Sequence, residues 1–263
     1  MERLQVDPDG YFREDGDYRI AGVAGTGSCI RVSFVRPGGA MTGKLFPSGQ
    51  RVDTLKIASS DAAAVEIRAS LLDAANPFVF VDSDSLPTWF HELDPNDPKA
   101  LEFMELARRE GAVRFGLAEN TEAAARTRGT PKIAVVSKPR ARLHDIFDEQ
   151  VPDIEVQSYS MGMAHPSFQL TGTVCLAAAL KLEGTVAWNL SKQSRPATPP
   201  HTPKNEDNEE VGSDALRKDV FIQHRSGRVE AEVVSSFKDG EEGIDCVSVF
   251  RTARRLFEGN VFI

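Results

Sequence analysis

The chain has 263 residues, 41% of them hydrophobic and 27% charged, with a formal net charge of −8, the balance of an ordinary globular protein long enough for two modest lobes. The acidic surplus argues against nucleic acid as a partner, because phosphate binding needs a positive surface, and no run of about 18 apolar residues is present to span a membrane. The polar, acidic opening MERLQVDPDGYFRED lacks the apolar stretch of a signal peptide, and three scattered cysteines (Cys29, Cys175, Cys246) suit a reducing compartment, so a cytoplasmic location is the default.

Taken in chain order, the first β-type run is 30–35, short and rich in Val and Ile. It leads into Gly38-Gly39-Ala40-Met41-Thr42-Gly43-Lys44, which has the spacing of a phosphate-binding loop. The match then fails. Leu45 stands where a Mg²⁺-binding hydroxyl is required, and Pro47 and Gly49 fit poorly in the helix that must follow. A Gly-rich turn between strands is the expected structure there.

An Asn76-Pro77 step precedes a strand at 78–82, and the best helix signal follows at 98–110. Asp97 is placed as N-cap, Pro98 at the first helical position and Gly111 past the end. A second helix is expected at 121–126, then strands at 132–137 and 154–160.

Ser158 to Val186 is the most informative stretch: SYSMGMAHPSFQLTGTVCLAAALKLEGTV. A turn at Ser160, Met161 and Gly162 meets the step His165-Pro166, and an apolar, small-residue helix at 174–182 stops before Gly184. The predicted order is strand, tight turn, then the N-terminus of a buried helix. Such an end presents unpaired N–H groups and partial positive charge, which suit a carboxylate or phosphate; taken alone, these residues read first as a core helix entered through a polar turn.

Residues at about 191–214 are dominated by Pro, Ser, Thr and acids and predict a disordered surface loop. Beyond it, a run at 220–224 returns through Arg225, Ser226 and Gly227 into 229–234, the clearest hairpin in the chain, and 246–250 is a last strand. Strands with few helices favour an α+β class over a doubly wound parallel sheet. The five histidines form no metal-binding pattern, no GxSxG elbow occurs, and the cysteines are expected to be structural, Cys175 as a buried thiol of raised pKa.

Four blocks occur together and in order: GVAGTGSCIRVSFVRPGGAMTGKLFPSGQRVDTL (22–55), SLLDAANPFVFVDS (70–83), SMGMAHPSFQLTGTVCLAAALKLEGTV (160–186) and FRTARRLFEG (250–259). Together they resemble the PrpF family, typified by 2-methylaconitate cis–trans isomerase. The resemblance implies a diaminopimelate-epimerase-like α+β fold, in which β-barrel-like sheets are each wrapped around a central helix. It also implies a cofactor-free isomerase that shifts a proton on an unsaturated di- or tricarboxylate such as an aconitate. Carried over residue by residue, Ser160, Met161 and Gly162 match the family's substrate-gripping turn and His165 its following histidine. Lys132 matches a lysine that pairs with a carboxylate, and Asn76 an Asn-Pro contact to substrate.

The family pattern begins with a long N-terminal section carrying a catalytic lysine and cysteine. The present chain is expected to start after it, with 1–65 a remnant of an incomplete first lobe, 66–252 the second lobe and 253–263 a segment returning toward the first. No catalytic acid or base is transferred to any of the three cysteines. The partner implied is the small carboxylic acid, with no metal, cofactor, nucleic acid or membrane; a non-catalytic carboxylate-binding or interaction protein on the same fold is the other reading.

Overall fold

The computed structural model describes residues 2–3, 13–59, 62–140, 151–194, 216–238 and 241–254. The strands are β1 (Glu2–Arg3), β2 (Ile30–Val35), β3 (Asp53–Ser59), β4 (Ala62–Ala74), β5 (Asn76–Asp82), β6 (Lys132–Ser137), β7 (Ile154–Ser160), β8 (Met163–Ala164), β9 (Leu216–His224), β10 (Gly227–Lys238) and β11 (Glu241–Arg251). They form one sheet in the order β1-β2-β11-β10-β9-β7-β6-β5-β4-β3, with β8 hanging on β7. The β5–β6 and β7–β9 neighbours are parallel and all the other pairs antiparallel. The helices are α1 (Thr88–His91), α2 (Pro98–Arg114), α3 (Thr121–Arg126), α4 (Leu170–Lys181) and α5 (Val186–Ser194). None is long and apolar enough to cross a membrane.

Helix α4 explains the shape of the sheet. Every residue of 172–180 is buried, so this helix needs apolar partners all round. It packs on β4 and β5 and equally on β9, β10 and β11, strands from both ends of the order, and a sheet can meet one helix that way only by curling around it. The 36–45 segment after β2 then closes the curl against β4. Gly38 bridges Ala74, Gly39 N–H donates to the Asp73 carbonyl (2.7 Å), Asp73 N–H to Leu45 (3.0 Å) and Ala75 N–H to Pro37 (2.8 Å). The Gly-rich turn that mimics a phosphate loop is thus the closing link of a barrel.

A second layer covers the outer face of β3 to β7. Leu55, Ile57, Ile67, Leu71, Val79, Val81 and Ile133 pack there against Phe103, Met104 and Ala107 of α2, while Leu72, Phe78, Phe80, Ala134 and Val136 face α4. Strands β4, β5 and β6 are therefore buried on both faces, which is why NPFVFVD and KIAVVS are apolar without strict alternation.

The predicted strands at 30–35, 132–137 and 154–160 and the helix at 121–126 coincide with β2, β6, β7 and α3. Helix α2 runs four residues past the expected end. Asp97 does cap it, accepting from Lys99 N–H, but Gly111 lies inside, where a Cβ would sit 2.5 Å from Val79 Cγ2. Glycine at that position lets the helix approach β5. The actual stop is Gly116 (φ +76°), with Gly116 N–H bonded to Val113 and Leu117 N–H to Ala112, the Schellman arrangement. Strands β3 and β4 and helix α5 were not predicted. Helix α5 also takes the first four residues of the expected 191–214 loop, the remainder of which, 195–214, lies outside the described residues. The boundary expected at residue 65 falls inside β4, and strands on either side of it pair in one sheet.

Candidate functional site

The mouth of the barrel lies at the N-terminus of α4. Its N-cap, Gln169, is extended (φ −66°, ψ 150°) and makes no side-chain cap bond. The first turn opens with Thr173 N–H on the Gln169 carbonyl (2.8 Å), leaving the N–H groups of Leu170, Thr171 and Gly172 without an intrahelical acceptor. Gln169 is itself held by Ser158 Oγ, which donates to Oε1 (2.9 Å), while its Nε2 is buried and unbonded. At Gly172 a Cβ would meet Phe78 Cζ at 2.8 Å and Phe168 Cε2 at 2.9 Å, so only glycine seats this turn against β5.

Strand alternation aims the neighbouring side chains. Phe78 and Phe80 of β5, Ala134 and Val136 of β6, and Ile154 and Val156 of β7 all face α4. The same parity puts Asn76, Lys132 and Ser160 on that face, at one end of three adjacent strands. The register agrees: Phe78 pairs with Lys132 and Ile133 with Tyr159. All three are half-buried, as residues at a rim should be. Four of the six residues singled out from sequence thus line one mouth with α4: these three and His165, whose N–H donates to the Ser158 carbonyl (2.8 Å) and whose Nδ1 lies 2.6 Å from the Ser167 carbonyl.

Met161 and Gly162 form the tip of the β7–β8 hairpin, both with positive φ (+53° and +79°), the two-residue turn that matches strand twist. A methionine there is unusual, and its side chain is exposed. Behind the tip, Leu101, Met104 and Arg108 of α2 enclose a small recess with Ser160, Met161 and Gly162. A Cβ at Gly162 would lie 2.3 Å from Arg128 Nη2. The turn is therefore shared between the mouth and the outer layer.

Two residues of the mouth were missed. His224 ends β9 on the face of Val220 and Ile222, and Arg251 ends β11 on the face of Val247 and Val249. The signal was present, since each continues a period-two apolar run, but the predicted strands stop at 224 and 250 and neither residue is assigned to a site there. His224 is 6% exposed, and its Nδ1 accepts Ser226 N–H at 3.2 Å. Burial first, then the nearby Arg251 and His165, lower its pKa to about 4. The Ser226 hydroxyl donates to the Pro166 carbonyl, tying the β9–β10 tip to the loop that enters α4.

A pH dependence follows. His224 is neutral in the fold down to about pH 4, whereas in the unfolded chain it protonates near 6.5. The unfolded state binds the extra proton in that window, so stability is complete above about 6.5 and falls as pH drops toward 4, by on the order of 2 kcal/mol. Urea melts at pH 7.5 and pH 5 should show the loss, and His224→Gln should flatten it; an unchanged slope in the variant would assign the loss elsewhere.

A second concavity is lined by Lys138, Arg140, Glu155, Gln157, Arg225 and, from the mouth side, His224. Two of its cations are already paired, Lys138 with Asp84 (3.3 Å) and Arg140 with Glu155 (3.9 Å). The three cysteines are free. Burial pushes the Cys175 thiol far up, sealed in the core with Sγ 3.6 Å from the Leu72 carbonyl, and burial with Glu230 raises Cys29. Neither of these two is activated as a thiolate.

A curled sheet around one helix, with Asn76, Lys132 and Ser160 at the strand ends nearest that helix's N-terminus, defines an α+β fold with one open mouth. Residues 3–198 match the model of the PrpF protein family. The chain belongs to that family, and its fold is of the diaminopimelate-epimerase type. It is 29% identical to the putative isomerase YraM of Bacillus subtilis, covering 97% of this chain and 60% of that protein. Identity is 28% with 3-methylitaconate isomerase of Eubacterium barkeri (97% and 62% covered) and 27% with 2-methyl-aconitate isomerase of Shewanella oneidensis (96% and 60%). The crystal structure of methylitaconate-delta-isomerase superposes with a TM-score of 0.69 at 26% identity, covering 99% of this chain and 62% of that one. The chain thus spans about three fifths of the length of these relatives.

Proposed function

We propose that the chain works in the cofactor-free, proton-shift isomerisation of an unsaturated di- or tricarboxylate such as an aconitate, with one substrate carboxylate seated at the N-terminus of α4. The observation that carries this reading is the placement of Asn76, Lys132 and Ser160 on one face and at one end of three adjacent strands, over a helix end with no side-chain cap bond. The names of the relatives agree with it. Removing a proton alpha to a carboxylate builds enolate-like charge on its oxygens. Fixed N–H donors and the Lys132 ammonium oppose that charge best where it grows, so the same contacts bind the ground state and lower the barrier. The cysteines are left out of the proton transfers for the reasons given above. Three free cysteines suit a reducing compartment, and a cytoplasmic location is proposed on that basis.

The test is calorimetric titration of the purified chain with cis-aconitate or itaconate, followed by proton NMR in D₂O for exchange at the allylic positions. Binding and deuterium incorporation are expected. Lys132→Ala should weaken binding by about tenfold or more, the loss of one charge-assisted contact of about 1.5–3 kcal/mol. Neither binding nor exchange by the wild-type chain, or an unchanged affinity in the variant, would overturn the proposal.

A further inference from the structure

Resting on that reading of the mouth, we infer that Arg251 anchors the second carboxylate of the substrate and so sets the preference for di- and tricarboxylates over monocarboxylates. Arg251 shares the face of Val247 and Val249, which pack around α4, and sits at the strand end that pairs with Ile30. Lys132 on β6 and Arg251 on β11 are separated in the sheet by β7, β9 and β10. In a sheet curled around α4, they flank the helix end from two sides. One acid group at the helix end and Lys132 leaves a second group of the same molecule directed toward Arg251.

Among the described residues this arginine has no counter-ion. It is half-buried, yet its guanidinium donates only to the Phe250 carbonyl, through Nη1 at 3.0 Å, and pairs with no carboxylate among the described residues. Comparable arginines do pair: Arg31 with Glu232, and Arg108 with Glu105. Tyr18 and His224 both lie near enough to interact with the charge of Arg251. Neither carries a negative charge near neutral pH, since burial above all holds the Tyr18 phenol up at about 12 and His224 is neutral. A cation withdrawn from water needs an anion. A guanidinium suits a carboxylate best because its planar fork makes two parallel bonds, which a lysine cannot reproduce.

Itaconate as the dicarboxylate and crotonate as the monocarboxylate separate the possibilities by calorimetry. The wild-type chain should prefer itaconate. Arg251→Gln and Arg251→Met should each weaken itaconate by tenfold or more and leave crotonate within twofold, with Arg251→Lys in between; far-UV circular dichroism and thermal unfolding establish that each variant is folded. Lys132→Ala, by contrast, should weaken both acids. Folded Arg251 variants that bind itaconate within twofold of wild type, or lose both acids equally, would overturn the assignment of Arg251 while leaving the helix-end site standing. Failure of the wild-type chain to bind either acid would sink the site itself.

Discussion

Arg108→Met is expected to destabilise the chain by about 3–5 kcal/mol, the range for breaking a buried ion pair by removing one partner. The Arg108 side chain is 4% exposed. Its Nε and Nη2 grip both oxygens of Glu105, at 2.8 and 2.9 Å. Its remaining protons go to three carbonyls on the stretch leading into β6: Ala124 (2.9 Å), Thr127 (3.1 Å) and Thr130 (3.4 Å). Methionine fills similar volume but satisfies none of these acceptors, and it leaves Glu105 with Arg109 alone. Burial by itself would raise the Glu105 pKa; the hydrogen bonds and charges of Arg108 and Arg109 outweigh it and hold the carboxyl below its ordinary value. That stabilisation is present above the unfolded pKa, near 4.3, and is lost as pH falls through the lower folded value. Urea unfolding at pH 7 measures the deficit. Adding Glu105→Met should recover a good part of it by removing the stranded charge. If the double variant is no better than Arg108→Met, the loss lies in the three carbonyls and the ion pair contributes little.

The consequence reaches the mouth, because the stretch held by Arg108 delivers Lys132 to the first position of β6 and brings Arg128 against Gly162. This coupling was not legible in the sequence. Arg108 reads there as one more charge on a helix, and only the fold reveals that it faces inward. What was legible had a local cause. Strands β2, β6 and β7 are short, β-branched and bounded by turn residues, and α3 follows Asn120, whose side chain accepts from Ala123 N–H. What was missed depends on distant pairing. Strand β4, AAAVEIRASLLDA, carries alanines that favour helix, and its strand state comes from β3 and β5 on either side. In the candidate site, the Ser160–Gly162 turn and the helix behind it stood out because Met-Gly, His-Pro and a small-residue run punctuate the chain. His224 and Arg251 did not. Their place at the mouth comes from the order of β6, β7, β9, β10 and β11 in the curled sheet, and a strand reading alone does not tell which strands become neighbours.

Asp73→Ala should come next in severity, at about 2–4 kcal/mol, because one carboxylate fastens the link that closes the barrel. Asp73 is fully buried. Its Oδ2 accepts from Met41 N–H (2.8 Å), Thr42 N–H (2.6 Å) and the Thr42 hydroxyl (2.8 Å), while its own backbone pairs with Gly39 and Leu45. Bonds to a charged acceptor are the stronger kind, and alanine strands three donors at once, each costing about 1–3 kcal/mol where water cannot replace the partner. Met41 is exposed and Thr42 half-buried, so water restores part of the loss and the total stays below the sum. Asp73→Asn separates charge from shape. It keeps one acceptor oxygen for the turn and places an amide where Oδ1, buried and unbonded, now stands, so it should cost about half as much as alanine. Hydrogen exchange adds a local readout: the amides of Gly39, bonded to the carbonyl of residue 73, and of Gly43, bonded to Gly39, should lose protection in Asp73→Ala before those of β6 and β7. If all of these amides lose protection together, the closing link unfolds only with the whole barrel and is not a separable latch.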